Sequence, residues 1–365
     1  LSVAPQSKTT VTIILRIVSS LAAVVLCFFL IVISLRFGIS RAAGRVGMAN
    51  GAISMANDAA RLTPSDPDAH RAKGTVFRQL RMYHNAEDEL EIAASLRPRD
   101  DYLWLELGEL RDELNDPNGA SSAFDNAVMS APYYAHTRWQ RANLRLRMGR
   151  YDEAFPELRD AASSNRAYLP TLIDLAWSLS KQDVKATEQL AGIESIESRI
   201  SFARLLARQG KAREALEQYA LIKRNVSPQI KRELVDSLIS TFNYTEAFQI
   251  WSDAAGPVAQ VYDGGFEGQI KFGETGFGWH VVRQPQIEVS QDAAEKESGG
   301  KSLRIMFTGD SPPTLASIAQ TIVVKPDQRY RVSWAVQSKE IVTGGSPLLS
   351  LEDPRSRARI VSANL

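Results

Sequence analysis

The sequence predicts a mainly α-helical protein: an α-solenoid of tandem helical hairpins behind one transmembrane helix, with a β-sandwich at the C-terminal end. Three observations predict it. Small side chains recur every 34 residues through the middle of the chain, residues 17–35 form an uncharged apolar run, and after residue 256 helical periodicity gives way to short alternating runs. The expected organisation is a tail over 1–10, a membrane helix over 11–36, a helical solenoid over 37–256 and a jelly-roll sandwich over 257–365.

The apolar run reads IVSSLAAVVLCFFLIVISL and is bounded by Arg16 and Arg36. At the helical rise it covers roughly 28 Å, the thickness of a bilayer's hydrocarbon layer. A buried soluble helix is rarely apolar on every face for so long. A cleaved signal peptide is the rival reading; its apolar core is usually about 7–15 residues, and "SRAAG" at 40–44 offers it a weak cleavage site. We read an uncleaved anchor. Arg36, Arg41 and Arg45 against Lys8 and Arg16 slightly favour a cytoplasmic C-terminal flank, whereas the character of the last domain favours the opposite side. Cys27 lies in the span and is the only cysteine, so no intrachain disulfide can form.

The helical region is read from its repeat. Gly74, Gly108 and Ala142 are spaced by 34, as are Ala86, Ala120 and Ala154, then Leu90, Phe124 and Leu158, then Ala93, Ala127 and Ala161. Small residues let the two helices of one hairpin approach closely, and Trp104, Leu107, Phe124 and Leu158 fill the space around them. In "GRYDEAFPELRDAA" (149–162), Gly149 is expected to end a first helix. Asp152 and Glu153 suit the positive start of the second, and Pro156 is tolerable if it lies near the first turn. Pro98 and Pro132 close two units. Upstream, Ala52, Ala56, Ala59 and Pro64 fit half a unit whose first helix starts near Ile33, so the membrane helix is expected to run straight into the first hairpin. Downstream, 169–180 supplies a first helix, the second near 184–193 is shortened, and 202–220 and 242–255 restore the pattern.

Period and residue pattern together resemble the tetratricopeptide repeat, over roughly 33–256. The resemblance implies a groove lined by first helices, with Asp68, Arg71, Thr75 and Arg78 in one unit. Tyr102, Leu105, Glu109 and Asp112 follow in the next, then His136, Trp139, Asn143 and Leu146. Trp139 either stands exposed as an anchor for a partner peptide or packs on a neighbouring helix. The Lys/Asn/Arg clamp with which some members hold an acidic C-terminus is not complete here.

Beyond 256 the runs at 286–291, 302–307, 317–324, 329–338 and 347–353 read as strands. Their order, with "DGGFE" (263–267), "GFGWHV" (276–281) and "ESGGKSLRIMF" (297–307), resembles the galactose-binding-like jelly roll of carbohydrate-binding modules. The run of strands falls short of such a sandwich, so either its last strands lie beyond Leu365 or the domain is a reduced variant. The resemblance implies sugar contacts at Trp279 and Tyr330, with His280 or Arg283 as donors, against the plainer reading of Trp279 as core. It also implies a structural calcium near Asp263 and Glu267, although two carboxylates fall short of the about 6–8 oxygens that calcium takes.

Composition excludes other classes. Lys and Arg number 43 against 42 Asp and Glu, a net charge of +1, which argues against a nucleic-acid binder. His70, His84, His136 and His280 have no metal-ligand spacing. No nucleophile–His arrangement, HExxH, Walker loop or CxxC pair is present. The sequence therefore points to a non-enzymatic, membrane-anchored scaffold that binds a protein partner through its groove, in envelope or polysaccharide assembly. It would be held in the inner membrane, with its C-terminal domains periplasmic. A glycan-binding protein and an accessory subunit of a membrane enzyme are the alternatives.

Overall fold

The computed structural model describes residues 6–255, 261–270, 276–283, 285–309, 318–340 and 347–364; the expected boundary at 256/257 and Ser317 lie outside them. α1 (Gln6–Asn50) is one helix of 45 residues. No glycine or proline interrupts 6–37, so the helix starts at Gln6, inside the expected tail, and passes without a linker into the first hairpin. Its contact face begins with half-buried Ile33 and Phe37 and continues through buried Ser40, Ala43, Gly44 and Gly47. A Cβ on Gly44 would lie 3.0 Å from that of Ala72, and one on Gly47 3.1 Å from the Ala56 nitrogen. The Ser40 hydroxyl donates to Ala59 O at 2.8 Å and lies 2.6 Å from Thr63 Oγ1.

The chain divides into two units, Leu1–Leu172 and Ile173–Leu365. In the first, α1 packs on α2 (Ile53–Leu62), α3 (Pro67–Gln79) on α4 (Tyr83–Leu96), α5 (Asp101–Glu113) on α6 (Pro117–Ser130), and α7 (Ala135–Arg147) on α8 (Tyr151–Ser164). Asp66, Asp100 and Asp116 cap their helices by accepting from backbone N–H groups, and Pro67 and Pro117 open theirs. Small residues sit where the helices meet: a Cβ on Gly74 would lie 3.0 Å from Leu90 Cγ, and one on Gly108 2.7 Å from the Phe124 ring. Phe77, Leu90, Leu107 and Leu110 close one core between hairpins; Leu105, Phe124 and Leu144 close the next.

The turn inside each hairpin repeats as well. Arg81, Asn115 and Gly149 take φ of 60°, 58° and 75° at the same position of three successive units. Gly149 adopts this left-handed conformation freely. Pro156 departs from expectation: it is the sixth residue of α8, past the first turn. It is accommodated because it is exposed, so water reaches the carbonyl its missing N–H leaves free.

α9 (Leu169–Leu179) carries the chain into the second unit. There α10 (Val184–Ala191) is the shortened helix foreseen from sequence. α11 (Ile196–Arg208) packs on α12 (Ala212–Ile222), and α13 (Pro228–Ser240) on α14 (Tyr244–Ala255). Phe277, 1% exposed, meets Phe248 edge to face and lies beside Trp251, which also meets Tyr262. The segment after the last hairpin thus covers the apolar face of α14, as the end of a repeat stack requires.

The C-terminal strands form three separate antiparallel pairs among the described residues: β1 (Trp279–Val281) with β4 (Ile318–Gln320), β2 (Ile287–Asp292) with β3 (Ser302–Phe307), and β5 (Leu348–Glu352) with β6 (Arg359–Asn364). Val289 faces Ile305 and Leu351 faces Val361, with an irregularity between Leu351 and Glu352. Two expectations are corrected. The strand read over 317–324 covers only 318–320. Residues 329–338 join no ladder among the described residues, where Tyr330, Val332, Trp334 and Val336 are exposed. Alternation specifies a strand only where a neighbouring edge pairs with it. β6 was not anticipated; its turn is set by Asp353, which accepts from the Arg355 N–H and the Ser356 hydroxyl.

Candidate protein-binding face

The first helices of successive hairpins in the first unit run side by side in the same direction. Along α1 and α3, Arg41 reaches Asp66 and Asp68, Gly44 lies against Ala72, and Gln79 donates to Met48 O at 3.0 Å. Along α3 and α5, Arg71 donates to both carboxylate oxygens of Glu106 at 2.8 and 3.0 Å, and Arg78 pairs with Glu113 at 2.6 Å. Along α5 and α7, Asp112 pairs with Arg147. Each of these last three pairs joins residues 35 apart, one repeat plus one position.

These contacts decide what the predicted groove residues can do. Arg71 and Arg78 are not free cations. Hydrogen bonds to Glu106 and to Glu113 raise the two guanidinium groups above their ordinary pKa, against the opposing effect of burial. The Arg71 guanidinium also lies 4.5 Å from the centre of the Tyr102 ring. Burial, then the Glu106 charge, raises the Tyr102 phenol, with Arg71 opposing. Glu109 is the more weakly held carboxylate, 3.6 Å from Arg78 and 3.5 Å from Gln140. Asn143 is half-buried beside it in the same row.

Trp139 is corrected from the exposed reading. It is 8% exposed and stacks on Tyr168 with ring centres 4.5 Å apart. His136 Nδ1 lies 3.3 Å from the Tyr168 hydroxyl. A large flat indole at the end of one hairpin finds the next stretch of chain as its partner, so it closes the core instead of offering an anchor. Leu105 is likewise core. Sequence reading missed the partners Glu106, Glu113 and Tyr168; opposite charges recurring at a spacing of 35 were the available signal for the first two.

Among the described residues, the C-terminal site residues are engaged by contacts within the chain. Asp263 accepts from the N–H groups of Glu267 and Gly268 at 2.9 and 3.0 Å, and its carbonyl accepts from Trp279 Nε1 at 3.0 Å. Glu267 accepts from the N–H groups of Gly300 and Lys301. Both carboxylates therefore face amide donors, which does not fit a calcium ion needing their lone pairs, and no metal-binding group of three occurs among the described residues. Trp279 lies against Phe266, and His280 Nε2 is 3.0 Å from Gly276 O. The Tyr330 hydroxyl accepts from the Lys325 N–H and donates to Gln328, away from that cluster's contacts. Gln291 and Gln320 tie down the same loop through the carbonyls of Phe266, Gly268 and Tyr262. "DGGFEG" is a structural clasp.

No protein-family model matches the chain, and no curated protein is similar to it in sequence. Among solved structures, the chain is similar to MamA (15% identity, 53% of this chain and 97% of that one, TM-score 0.37). It is also similar to YrrB, a TPR protein with an unusual peptide-binding site (14%, 55% and 90%, 0.29). A third is PilF of Pseudomonas aeruginosa (14%, 62% and 94%, 0.35).

Proposed function

We propose that this chain is a non-enzymatic, membrane-anchored scaffold that holds a protein partner on the first-helix face of α3, α5 and α7. The observation that carries the reading is the common register of those helices. It sets polar side chains in one row while the apolar ones close the cores behind it. The segment recognised is an extended peptide with a basic side chain opposite Glu109, the carboxylate of this row held only by longer contacts, at 3.6 Å from Arg78 and 3.5 Å from Gln140. Helix α1 supplies the anchor: the apolar window within Leu15–Asn50 has the length and composition to cross a membrane, and its side chains over 15–31 are exposed. Inner-membrane placement, a periplasmic C-terminal part, and a role in envelope or polysaccharide assembly belong to the same proposal.

Site-specific photocross-linking from Asn143 in intact cells tests it. A discrete adduct that disappears with Glu109→Lys supports the face as the binding site. An adduct unchanged by that reversal, or none, removes it. A reporter fused to the C-terminus tests the side of the membrane. No observation favours the glycan-binding alternative, because Trp279 is engaged in the clasp.

A further inference from the structure

The B-to-A loops of the first unit, those joining the second helix of one hairpin to the first helix of the next, share one edge. Its first loop, 63–66, lies beside the end of the apolar run of α1. Arg36, the first charged residue after the run, donates to Leu62 O at 2.7 Å, just before the loop at 63–66. Ile33, still within the run, is already half-buried. Because α3 runs beside α1, α5 beside α3 and α7 beside α5, each tied to its neighbour by side-chain contacts, the loops at 97–100 and 131–134 open on the same side of the helix row as 63–66. Arg97, in the loop at 97–100, pairs with Asp100 and with Asp68 at the start of α3.

The side chains on this edge are those of a membrane–water boundary. Tyr133 is 85% exposed, Met129 78%, and Tyr134, Leu96 and Arg99 are exposed too. Tyrosine favours the headgroup level, and arginine favours lipid phosphate. The acidic groups here do not oppose this: Asp66 and Asp68 are paired with Arg41, Asp100 with Arg97, and Asp101 is half-buried. The opposite edge, carrying Asn118 at the start of α6, stands off by the length of α5, roughly 20 Å for its 13 residues.

We infer that this loop edge, through Tyr133, Tyr134, Met129 and Arg99, rests in the phospholipid headgroup layer of the bilayer that α1 crosses. The inference rests on the membrane reading of α1, and the test separates the two. The full chain is reconstituted in phosphatidylcholine–phosphatidylglycerol vesicles containing lipid with a nitroxide on the headgroup or along the acyl chain. A fluorophore is placed on Cys27, native and central in the apolar run, or, in a Cys27→Ser background, on Tyr133→Cys or Asn118→Cys. The expected result is loss of Cys27 fluorescence with acyl-chain nitroxide, loss of Tyr133→Cys fluorescence with headgroup nitroxide, and no loss at Asn118→Cys. If Cys27 is quenched while Tyr133→Cys behaves as Asn118→Cys, the edge faces solvent or a protein and the inference is overturned with the anchor intact. If Cys27 is not quenched by either lipid, the anchor reading falls and the edge inference with it.

Discussion

Arg71 on α3 and Glu106 on α5 meet through two guanidinium–carboxylate hydrogen bonds of 2.8 and 3.0 Å, although 35 residues separate them. The pair joins the first helices of two hairpins, so it fixes their register as well as their distance. Both side chains are largely withdrawn from water, at 30% and 14% exposure, and a two-pronged geometry makes such a bond stronger than an ordinary surface pair. A double-mutant cycle with Arg71→Ala and Glu106→Ala, followed by chemical denaturation, is expected to give a coupling of about 1–2 kcal/mol that weakens with salt. Additive single effects would reduce the pair to surface decoration.

Gly108 tests the small-residue rule that spaces the hairpins. A Cβ there would come within 2.7 Å of the Phe124 ring, closer than atoms can approach, and the ring is boxed in by Leu105 and Leu144. Gly108→Ala is expected to destabilise the protein by about 1–3 kcal/mol through overpacking. Adding Phe124→Leu should recover part of that loss. A gain in stability on Gly108→Ala, as helix propensity alone would give, would show that the interface can yield.

The helical half was legible because its signals are local and repeated. The same four small or apolar positions recur in three units, and each is read from chain spacing alone. What escaped notice depends on partners distant in sequence. Trp139 and Tyr168 lie 29 residues apart, and no period joins them, so the indole could be read as either exposed or packed. The 329–338 run shows the converse: its alternation is as clear as that of 302–307, but among the described residues only the latter pairs with an edge. In "DGGFE" the resemblance implied a calcium at Asp263 and Glu267, while what those carboxylates accept from became visible only when the amides of Glu267, Gly268 and Gly300 were placed against them.

Tyr219 on α12 is 1% exposed, and its hydroxyl has no hydrogen-bond partner among the described residues. Burial, reinforced by Asp253 and opposed by Lys223, pushes the phenol from 10.0 up to about 12. A phenol that ionises less readily in the folded state lets the unfolded chain lose its proton first. Its contribution is therefore intact below pH 10 and is lost as pH rises towards 12, by about 2–3 kcal/mol. Tyr219→Phe removes an unpaired buried hydroxyl, so a gain of about 1 kcal/mol at neutral pH is expected, together with a flatter stability profile above pH 10. Denaturant midpoints at neutral and alkaline pH measure both, and a loss of stability at neutral pH would mean that the hydroxyl has a partner.

Pro156 sits six residues into α8, on its exposed face, between buried Phe155 and Leu158. It deprives the Asp152 carbonyl of its helical donor, and its ring crowds the same turn. Because Asp152 and Pro156 both lie on the exposed side, the carbonyl is open to solvent and the cost is tolerated, but it is not abolished. Restoring the N–H with Pro156→Ala is expected to raise stability by about 1–3 kcal/mol and to slow amide exchange in the first two turns of α8. The neighbouring core should not change, since Ala154, Leu158 and Ala161 keep their contacts. If exchange slowed across α7 and α8 together, the proline would be limiting the docking of the whole hairpin. If neither stability nor exchange moved, the turn would already be fully relaxed around the ring, and the helix would owe its continuity to the buried face alone.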